Sequence, residues 1–378
     1  MKLYYVVNAL IPHKKAYAIQ IAKMCEAFVE EGVDLELIIP RQNGATSDIK
    51  EYYNLRVPIS VKRLHALNFY ASSKWGYFLS SSIFIISYSL YFLSKIIRGE
   101  KGIIYTIDMD TFSFVFLPYF GMPCFLETHG GKAGNFLNKI FFKRAKGVIA
   151  INNIIKKQID KTVNFPENKI LVWPNGIDLN LFREISKEEA RKKLTLPKEG
   201  KIVMYSGRFY GWKGLEVLVD AVDKLPVDVS VYIVGGTKEE FMAITKKGKL
   251  PDNLIFFGEK HYVDIPLWLS AADSLLVLGT KYDTQSYMYT SPMKVFEYLA
   301  MKRQIVASKT PAICDIVSDE HVIFYEPDNA ADLARKMQLS VSADPLIKRK
   351  PVVAFELAVN FTWRKRAGNI IRFIEAKK

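Results

Sequence analysis

The strongest constraint on the fold is an alternation of short apolar segments with helical patterns, which runs along the chain twice. In the first run, strand-like residues 3–7 and 35–39 flank a segment, 16–29, whose apolar residues fall at helical spacing. Strands joined by crossover helices form parallel sheets that are covered by helices on both faces. Four more strands are predicted in this run, at residues 61–64, 102–107, 124–127 and 147–151.

The second run begins after the sequence LVWPNGID at residues 171–178, where Pro, Asn and Gly indicate a turn. Strands are predicted at residues 201–205, 229–234, 254–257, 274–278, 303–307 and 322–325, with helices between them. A chain of 378 residues also exceeds one ordinary core. We therefore predict an α/β protein with two Rossmann-like doubly wound domains at residues 1–180 and 181–358, and a terminal helix at 359–378 that returns to the first domain.

Composition limits the classes of function. Three cysteines stand far apart without metal-site spacing, which favours a reducing compartment such as the cytoplasm and argues against a disulfide or zinc framework. The first residues, MKLYYVVNAL, are interpreted as a strand and not as a signal peptide. A net charge of +14 indicates an anionic partner, either nucleotide phosphates or anionic lipid. Nucleic acid is disfavoured because no basic run interleaved with aromatic residues is found.

Residues 75–97 are rich in Phe, Tyr, Ile and Leu, are interrupted by serines, and contain no charged residue between Lys74 and Lys95. Its length allows a membrane span, but a span would separate two strands of one sheet. The preferred prediction is a long helix, partly core and partly exposed, whose aromatic face is available for peripheral contact with a bilayer.

Two segments of the second domain carry candidate ligand-binding residues. The first is SGRFYGWKG at 206–214, where Gly207 allows a tight backbone and Arg208 and Lys213 bring two cations to the end of a strand. Neither a Walker loop nor a nicotinamide-binding glycine pattern is present. The second segment is SPMKVFEYLA at 291–300, in which Pro292 is predicted as the first helical residue, with Met293, Phe296 and Ala300 facing the core.

A helix start of this kind binds anions, and Glu297 lies one turn further along. From the residues alone, the alternative of an exposed helix with a Lys294–Glu297 pair stays open.

Together these segments resemble the retaining nucleotide-sugar glycosyltransferases of family 4, which have the GT-B architecture of two Rossmann-like domains facing an interdomain cleft. The resemblance rests on Arg208 and Lys213 after a strand, PNGID at the interdomain turn, FGEKHYVDIPLWLSAAD, SPMKVFEYLA and the terminal FTWRKRA. It extends over nearly the whole chain.

The resemblance implies a role for each matching residue. Arg208 and Lys213 would bind the donor diphosphate, with Gly207 beside them, and Glu297 would bind the ribose hydroxyls. Backbone N–H groups around Ser291, Pro292 and Met293 would lie against the phosphates, and His129 in ETHG would face the donor sugar. Gly258 and His261 are expected near the nucleotide base. Members of the family need no metal ion and no cofactor, so none is expected here.

The chain departs from the family at Tyr289, where the first of two glutamates is usual, so the contact to the transferred sugar differs. Asp108 and Asp110 form a D-x-D triplet after a first-domain strand, for which acceptor contact or loop solvation is preferred to a metal role. His13 beside two lysines is suited to an anionic acceptor or to a solvated loop.

The resulting hypothesis is a metal-independent retaining hexosyltransferase that moves a sugar from a UDP- or GDP-sugar to a hydroxyl of a glycan or lipid-linked acceptor in cell-surface polysaccharide or glycoconjugate biosynthesis. The expected location is the cytoplasm, with peripheral association at the inner face of the cell membrane. Two alternatives stay open: a sugar-nucleotide epimerase or phosphorylase on the same fold, and a non-catalytic module that binds nucleotide sugars.

Overall fold

The computed structural model describes residues 1–41, 48–70, 73–108, 110, 112–132 and 134–378. These residues form two compact units. Unit 1 comprises Met1–Pro174 and Trp363–Lys378, and unit 2 comprises Asn175–Thr362. Unit 2 begins earlier than residue 181 because the Asn175 amide donates to the carbonyl oxygen of Ser291, and the Ile177 N–H donates to that of Phe361.

Unit 1 is built on a parallel sheet of seven strands in the order β3-β2-β1-β4-β5-β6-β7. The strands are β1 (Lys2–Val6), β2 (Asp34–Pro40), β3 (Ser60–Leu64), β4 (Ile103–Ile107), β5 (Cys124–Thr128), β6 (Gly147–Ala150) and β7 (Ile170–Val172). The order reverses between β1 and β4, and the loops after these central strands therefore meet at one edge of the sheet.

Within the described residues, five helices connect the strands of unit 1: α1 (Ala16–Glu30), α2 (Ile49–Tyr53), α3 (Lys74–Ile97), α4 (Phe136–Arg144) and α5 (Asn153–Val163). Two short 3-10 turns, Phe112–Phe114 and Leu117–Tyr119, lie between β4 and β5. The connection from β1 to β2 moves along the sheet in one direction, and the connection from β3 to β4 moves in the other. Because both crossovers are right-handed, α1 lies on one face of the sheet and α3 on the other. The connections through α4 and α5 run in the same direction as α3 and share its face.

Unit 2 contains a parallel sheet of six strands in the order β10-β9-β8-β11-β12-β13. The strands are β8 (Lys201–Ser206), β9 (Val229–Val234), β10 (Leu254–Phe256), β11 (Ser274–Val277), β12 (Gln304–Ser308) and β13 (Ile323–Tyr325). Buried apolar clusters lie on both sides of it, one around Trp268 and Phe296 and the other around Leu218 and Phe241. The order reverses between β8 and β11, beside the loop that carries Arg208 and Lys213.

The helices of unit 2 are α6 (Lys187–Lys193), α7 (Glu216–Val222), α8 (Lys238–Thr245), α9 (Ile265–Ala271), α10 (Met293–Ala300), α11 (Pro311–Cys314), α12 (Ala330–Ser340) and α13 (Lys350–Ala358). A π-helical turn, Gln285–Tyr289, precedes α10. Thr237 and Glu240 form a reciprocal capping box at the start of α8.

The last helix, α14 (Trp363–Lys377), belongs to unit 1 and packs against α1 and β6. Its buried residues Ala367, Ile370 and Ile374 recur at helical spacing and supply the apolar face that covers this side of the sheet. The Phe373 ring contacts Phe125 of β5, with ring centroids 6.1 Å apart. The predicted return of the terminal helix to the first domain is confirmed, as are the two doubly wound sheets.

Candidate functional site

Two glycines after neighbouring strands of unit 2 bring their loops into direct backbone contact. Gly207 follows β8 with φ +136°, and Gly235 follows β9 with φ +141°. A Cβ atom at Gly235 would lie 2.4 Å from the Gly207 carbonyl oxygen, so only glycine fits there. The Gly207 N–H donates to the Val234 carbonyl oxygen at 2.8 Å. This packing fixes the loop that carries the predicted cations.

Lys213 is held inside that loop. Its Nζ donates to the Arg208 carbonyl oxygen at 2.7 Å and lies 4.8 Å and 5.5 Å from the ring centroids of Tyr210 and Trp212. Burial, together with the charge of Arg208, lowers the pKa of Lys213 to about 8. The Arg208 guanidinium forms an ion pair with Glu259, and both side chains are partly exposed. The structure thus brings the two predicted cations together, with a carboxylate paired to one of them.

Lys294 is a third cation at this place, and its role was missed in the sequence. Its Nζ stands 3.7 Å from the centroid of the Tyr205 ring. A Cβ atom added to Gly207 would meet Lys294 Nζ at 3.1 Å and Lys213 Nζ at 3.9 Å, so both ammonium groups adjoin the same glycine. Burial and the charge of Lys213 hold the pKa of Lys294 well below its usual range. The clue in the sequence was its position only two residues after Pro292.

The turn before α10 contains the predicted phosphate-facing residues. Pro292 precedes the helix in an extended conformation, with ψ 128°, so its prediction as the first helical residue is wrong by one position. Met293 is only half-buried, whereas Phe296 and Ala300 lie in the core as predicted. Met293 is the first residue of the helix, and it belongs to neither of the two buried apolar clusters of unit 2. Ser291 is buried, and within the described residues its Oγ has no hydrogen-bond partner.

Glu297 is 8% exposed and receives a hydrogen bond from Tyr262. Burial raises its pKa to about 7, although this hydrogen bond and the charge of Lys294 act in the opposite direction. The alternative of a solvated surface pair between Lys294 and Glu297 is therefore wrong, since Glu297 is withdrawn from solvent. A buried carboxylate whose pKa is raised in this way is typical of a ligand-binding site.

The residues predicted near a base lie on the neighbouring loop. Gly258 has φ +71°, and its carbonyl oxygen accepts from the Gly235 N–H at 2.9 Å. The His261 side chain is exposed, and the next residue, Tyr262, is the one that reaches Glu297. Tyr289, which replaces the usual glutamate, ends the π-helical turn and is half-buried.

In unit 1, His129 lies beside a fully buried carboxylate. His129 Nε2 is 2.6 Å from Glu127 Oε1, and Gln20 Nε2 donates to the same oxygen at 2.5 Å. Arg366 of α14, also fully buried, donates to Glu127 Oε2 at 3.0 Å. Burial by itself would raise the pKa of Glu127, but the charge of Arg366 and the bond to His129 outweigh it and hold that pKa well below its usual range. Glu127 and Arg366 were not singled out in the sequence.

The two aspartates of the triplet are engaged by donors of unit 1. Asp108 pairs with Lys132 and accepts from Thr128 Oγ1 at 2.6 Å. Asp110 accepts from Tyr77 OH at 2.6 Å and from Ser113 Oγ at 2.6 Å. These contacts give both carboxylates a structural role in the loops after β4. His13 is likewise tied into its loop, since its Nδ1 accepts from the Lys15 N–H at 3.1 Å.

Two family models match the chain, one in each half. The model of glycosyltransferase family 4 matches residues 18–181, and that of glycosyl transferases group 1 matches residues 186–350. A Bacillus subtilis (strain 168) protein, provisionally named a teichuronic acid biosynthesis glycosyltransferase, TuaC, is 29% identical over 51% of this chain and 47% of its own length. A D-inositol 3-phosphate glycosyltransferase from Corynebacterium diphtheriae is 24% identical over 54% of this chain and 50% of its own. The chain thus spans about half the length of these curated relatives.

Solved structures share the fold along the full chain. Sucrose-phosphate synthase from Thermosynechococcus elongatus superposes with a TM-score of 0.77 at 18% identity, covering 100% of both chains. Anabaena HepE, in complex with UDP and glucose, superposes with a TM-score of 0.74 at 16% identity, again covering 100% of both chains. These likenesses show the GT-B fold. With a match in each half and this fold, the chain belongs to the group 1, family 4 glycosyltransferases.

Proposed function

We propose that this protein transfers a sugar from a nucleoside diphosphate sugar to a hydroxyl group of a glycan or lipid-linked acceptor, with retention of anomeric configuration. The observation that carries the proposal is the group of three cations, Arg208, Lys213 and Lys294, around Gly207 in unit 2. Its two lysines are half-buried, and in the described residues only Arg208 has a carboxylate within ion-pair distance. Such a group suits a ligand with several negative charges.

The remaining groups fit the rest of a nucleotide. Glu297 is a buried carboxylate able to accept from two adjacent ribose hydroxyls once it is ionised. The Ser291 hydroxyl has no hydrogen-bond partner among the residues that the structure describes, and it lies next to the start of α10, where backbone N–H groups favour an anion. That HepE holds UDP and glucose, and that the curated relatives are named glycosyltransferases, supports a nucleotide sugar as the donor.

In the proposed reaction, the bond from the anomeric carbon to the diphosphate oxygen breaks, and the acceptor oxygen bonds to that carbon on the same face. The acceptor proton passes to the departing phosphate oxygen. Negative charge grows on the diphosphate as it leaves, so cations fixed beside it lower the barrier. The family resemblance supports His129 as a contact to the transferred sugar, and Glu127 would hold its imidazole in place.

The test is turnover with radiolabelled UDP- and GDP-sugars and a lipid and glycan extract as acceptor. Wild type is expected to release nucleoside diphosphate and to label the acceptor. Lys213→Ala should lower turnover by about two orders of magnitude or more, since a preorganised charge contact is removed. Lys249→Ala, an exposed lysine elsewhere in unit 2, is the matched control. Isomerised free sugar nucleotide, or donor binding without release of diphosphate with any extract, would contradict sugar transfer.

Charge stabilisation is assigned to protein cations in this proposal, so no metal ion is required. Turnover is expected to be unchanged by a chelator that removes divalent ions. Loss of activity with the chelator, followed by recovery on addition of Mn²⁺ or Mg²⁺, would contradict this part of the mechanism.

A further inference from the structure

Helix α3 is apolar on two opposite sides. On the inner side, Phe84, Tyr88 and Phe92 are completely buried in unit 1. On the outer side, six large apolar residues are exposed by between 48% and 85%, namely Trp75, Leu79, Ile86, Leu90, Leu93 and Ile97. At 3.6 residues per turn these six fall within about 60° around the helix axis. We call them the outer stripe. A surface helix ordinarily presents polar residues at this position, so an apolar stripe that is interrupted at Ser82 but extends along the helix points to a partner.

Hydrogen bonds from the inner side of α3 fix the orientation of the helix on unit 1. Ser81 Oγ accepts from the Asn8 amide at 2.9 Å near one end, and Tyr91 OH donates to Glu36 of β2 at 2.6 Å near the other. α3 is long and apolar enough to cross a membrane, a property shared with core helices of soluble proteins. These bonds instead hold it flat along the sheet, so the outer stripe faces outward over the whole length of the helix.

The exposed apolar surface continues beyond α3. Phe78 stacks on Phe112 with ring centroids 4.6 Å apart, and Phe92 stacks on Phe120 at 5.4 Å. In the sequence between Phe112 and Phe120, the side chains of Phe116 and Tyr119 are 48% and 45% exposed. The Arg144 guanidinium of α4 lies 5.3 Å from the Tyr119 ring centroid. Right-handed crossovers place α3 and α4 on the same face of the sheet, so α3, these turns and α4 form one layer.

The charges of this layer have one sign. Neither α3, α4 nor residues 112–122 contain an Asp or a Glu. Exposed basic residues lie at both ends of α3 and along and after α4: Lys74, Arg98, Lys101, Lys139, Lys143, Arg144 and Lys146. The nearest acid after α3, Glu100, already pairs with Lys95 at 2.8 Å. Two copies of such a surface would repel each other, whereas an anionic bilayer attracts basic residues and accepts an apolar stripe.

We propose that the outer stripe of α3, with the basic residues of α4, is a docking surface for an anionic lipid bilayer. The apolar residues enter the boundary between headgroups and acyl chains, and the lysines and arginines contact the headgroups. Sugar transfer is not needed for this binding, so the two proposals fail separately. The surface would hold unit 1 at the membrane.

The test is co-sedimentation of the full-length protein with vesicles of phosphatidylcholine, with and without phosphatidylglycerol. Wild type should bind the mixed vesicles and bind the neutral ones much more weakly, and added salt should reduce the difference. The double change Ile86→Ser and Leu90→Ser should weaken binding about tenfold or more. Val227→Ser with Leu346→Ser, which alters two exposed apolar residues of unit 2, should leave binding unchanged.

Charge is tested separately by Lys139→Glu with Lys143→Glu, which should abolish the preference for phosphatidylglycerol, against the control Lys238→Glu with Lys249→Glu. Thermal melting of each variant shows whether the fold is intact. Equal binding of wild type to both vesicle types, or unchanged binding by the folded α3 variant, would overturn the proposal. So would a lipid-free dimer that the α3 change dissociates, combined with no vesicle binding.

Discussion

Single residues at the unit 2 site are arranged at the expense of stability in the ligand-free protein. Glu297 has a folded pKa of about 7, above its ordinary value, because it is buried. A raised pKa means that folding favours the protonated form. Its contribution to stability is thus complete below about pH 4.5 and is lost as the pH rises through 7. The same residue is the proposed ribose ligand. Ribose binding would use the ionised carboxylate, whereas the stability of the ligand-free protein favours the protonated form.

Glu297→Gln removes that ionisation and keeps the shape of the side chain. We expect the variant to melt at a higher temperature than wild type at pH 8, and to gain little at pH 5. The difference at pH 8 is on the order of 3 kcal/mol, from the size of the pKa shift. Ligand-free thermal melts across this range measure it. A variant less stable than wild type at pH 8 would mean that Glu297 is a structural ion-pair partner.

Lys294→Met tests the third cation while retaining most of the side-chain volume. A loss of nucleoside diphosphate affinity of about tenfold or more is expected, since hydrogen bonds to charged groups contribute roughly 1.5 to 3 kcal/mol. The affinity for the corresponding nucleoside, which lacks phosphates, should not change. Equal losses for nucleotide and nucleoside would show that Lys294 supports the fold of the pocket and not the phosphates.

At the scale of elements, α14 completes unit 1 by supplying both an apolar face and a buried charge. Arg366 and Glu127 are each 0% exposed, and Arg366 Nη2 lies 2.9 Å from Glu127 Oε1. Removing one partner of a buried pair leaves a charge without compensation, which costs roughly 3 to 5 kcal/mol. Since Glu127 also contacts His129, α14 affects the position of that histidine.

Arg366→Met is therefore expected to lower the midpoint of urea unfolding strongly. The double change Arg366→Met with Glu127→Gln should recover a large part of the loss, because no buried charge is then left unpaired. Arg372→Met, an exposed arginine of the same helix whose guanidinium donates to Asn369, is the control. If the double variant is as unstable as the single one, the cost arises from packing and not from charge.

The helices and strands were largely predictable because hydrophobic periodicity determines them. The long α3 and the strands of both sheets follow patterns visible in the sequence. The π-helical turn at Gln285–Tyr289 was not predicted, since its residues show no distinct period. The start of α10 was misplaced by one residue because Pro292 is compatible with either side of a helix boundary.

At the scale of the whole molecule, the two doubly wound sheets and the return of α14 could be predicted from the sequence, but the partners of the buried charges could not. Arg366 donates a hydrogen bond to Glu127, which is 239 positions away in the sequence, and Tyr262 of another loop forms a hydrogen bond with Glu297. Local patterns contain no information on such distant contacts. Lys294 was overlooked for the same reason, since its neighbours Tyr205 and Gly207 lie on another strand and loop.

The central claim is that the cations of unit 2 bind a nucleoside diphosphate, and calorimetric titration of the full-length protein tests it most directly. UDP, GDP and ADP are titrated into wild type, Lys213→Ala and the control Lys249→Ala. We expect one of the three nucleotides to bind wild type and Lys249→Ala alike, and to bind Lys213→Ala about tenfold or more weakly. Absence of binding by all three nucleotides, or equal affinity in Lys213→Ala, would contradict the claim.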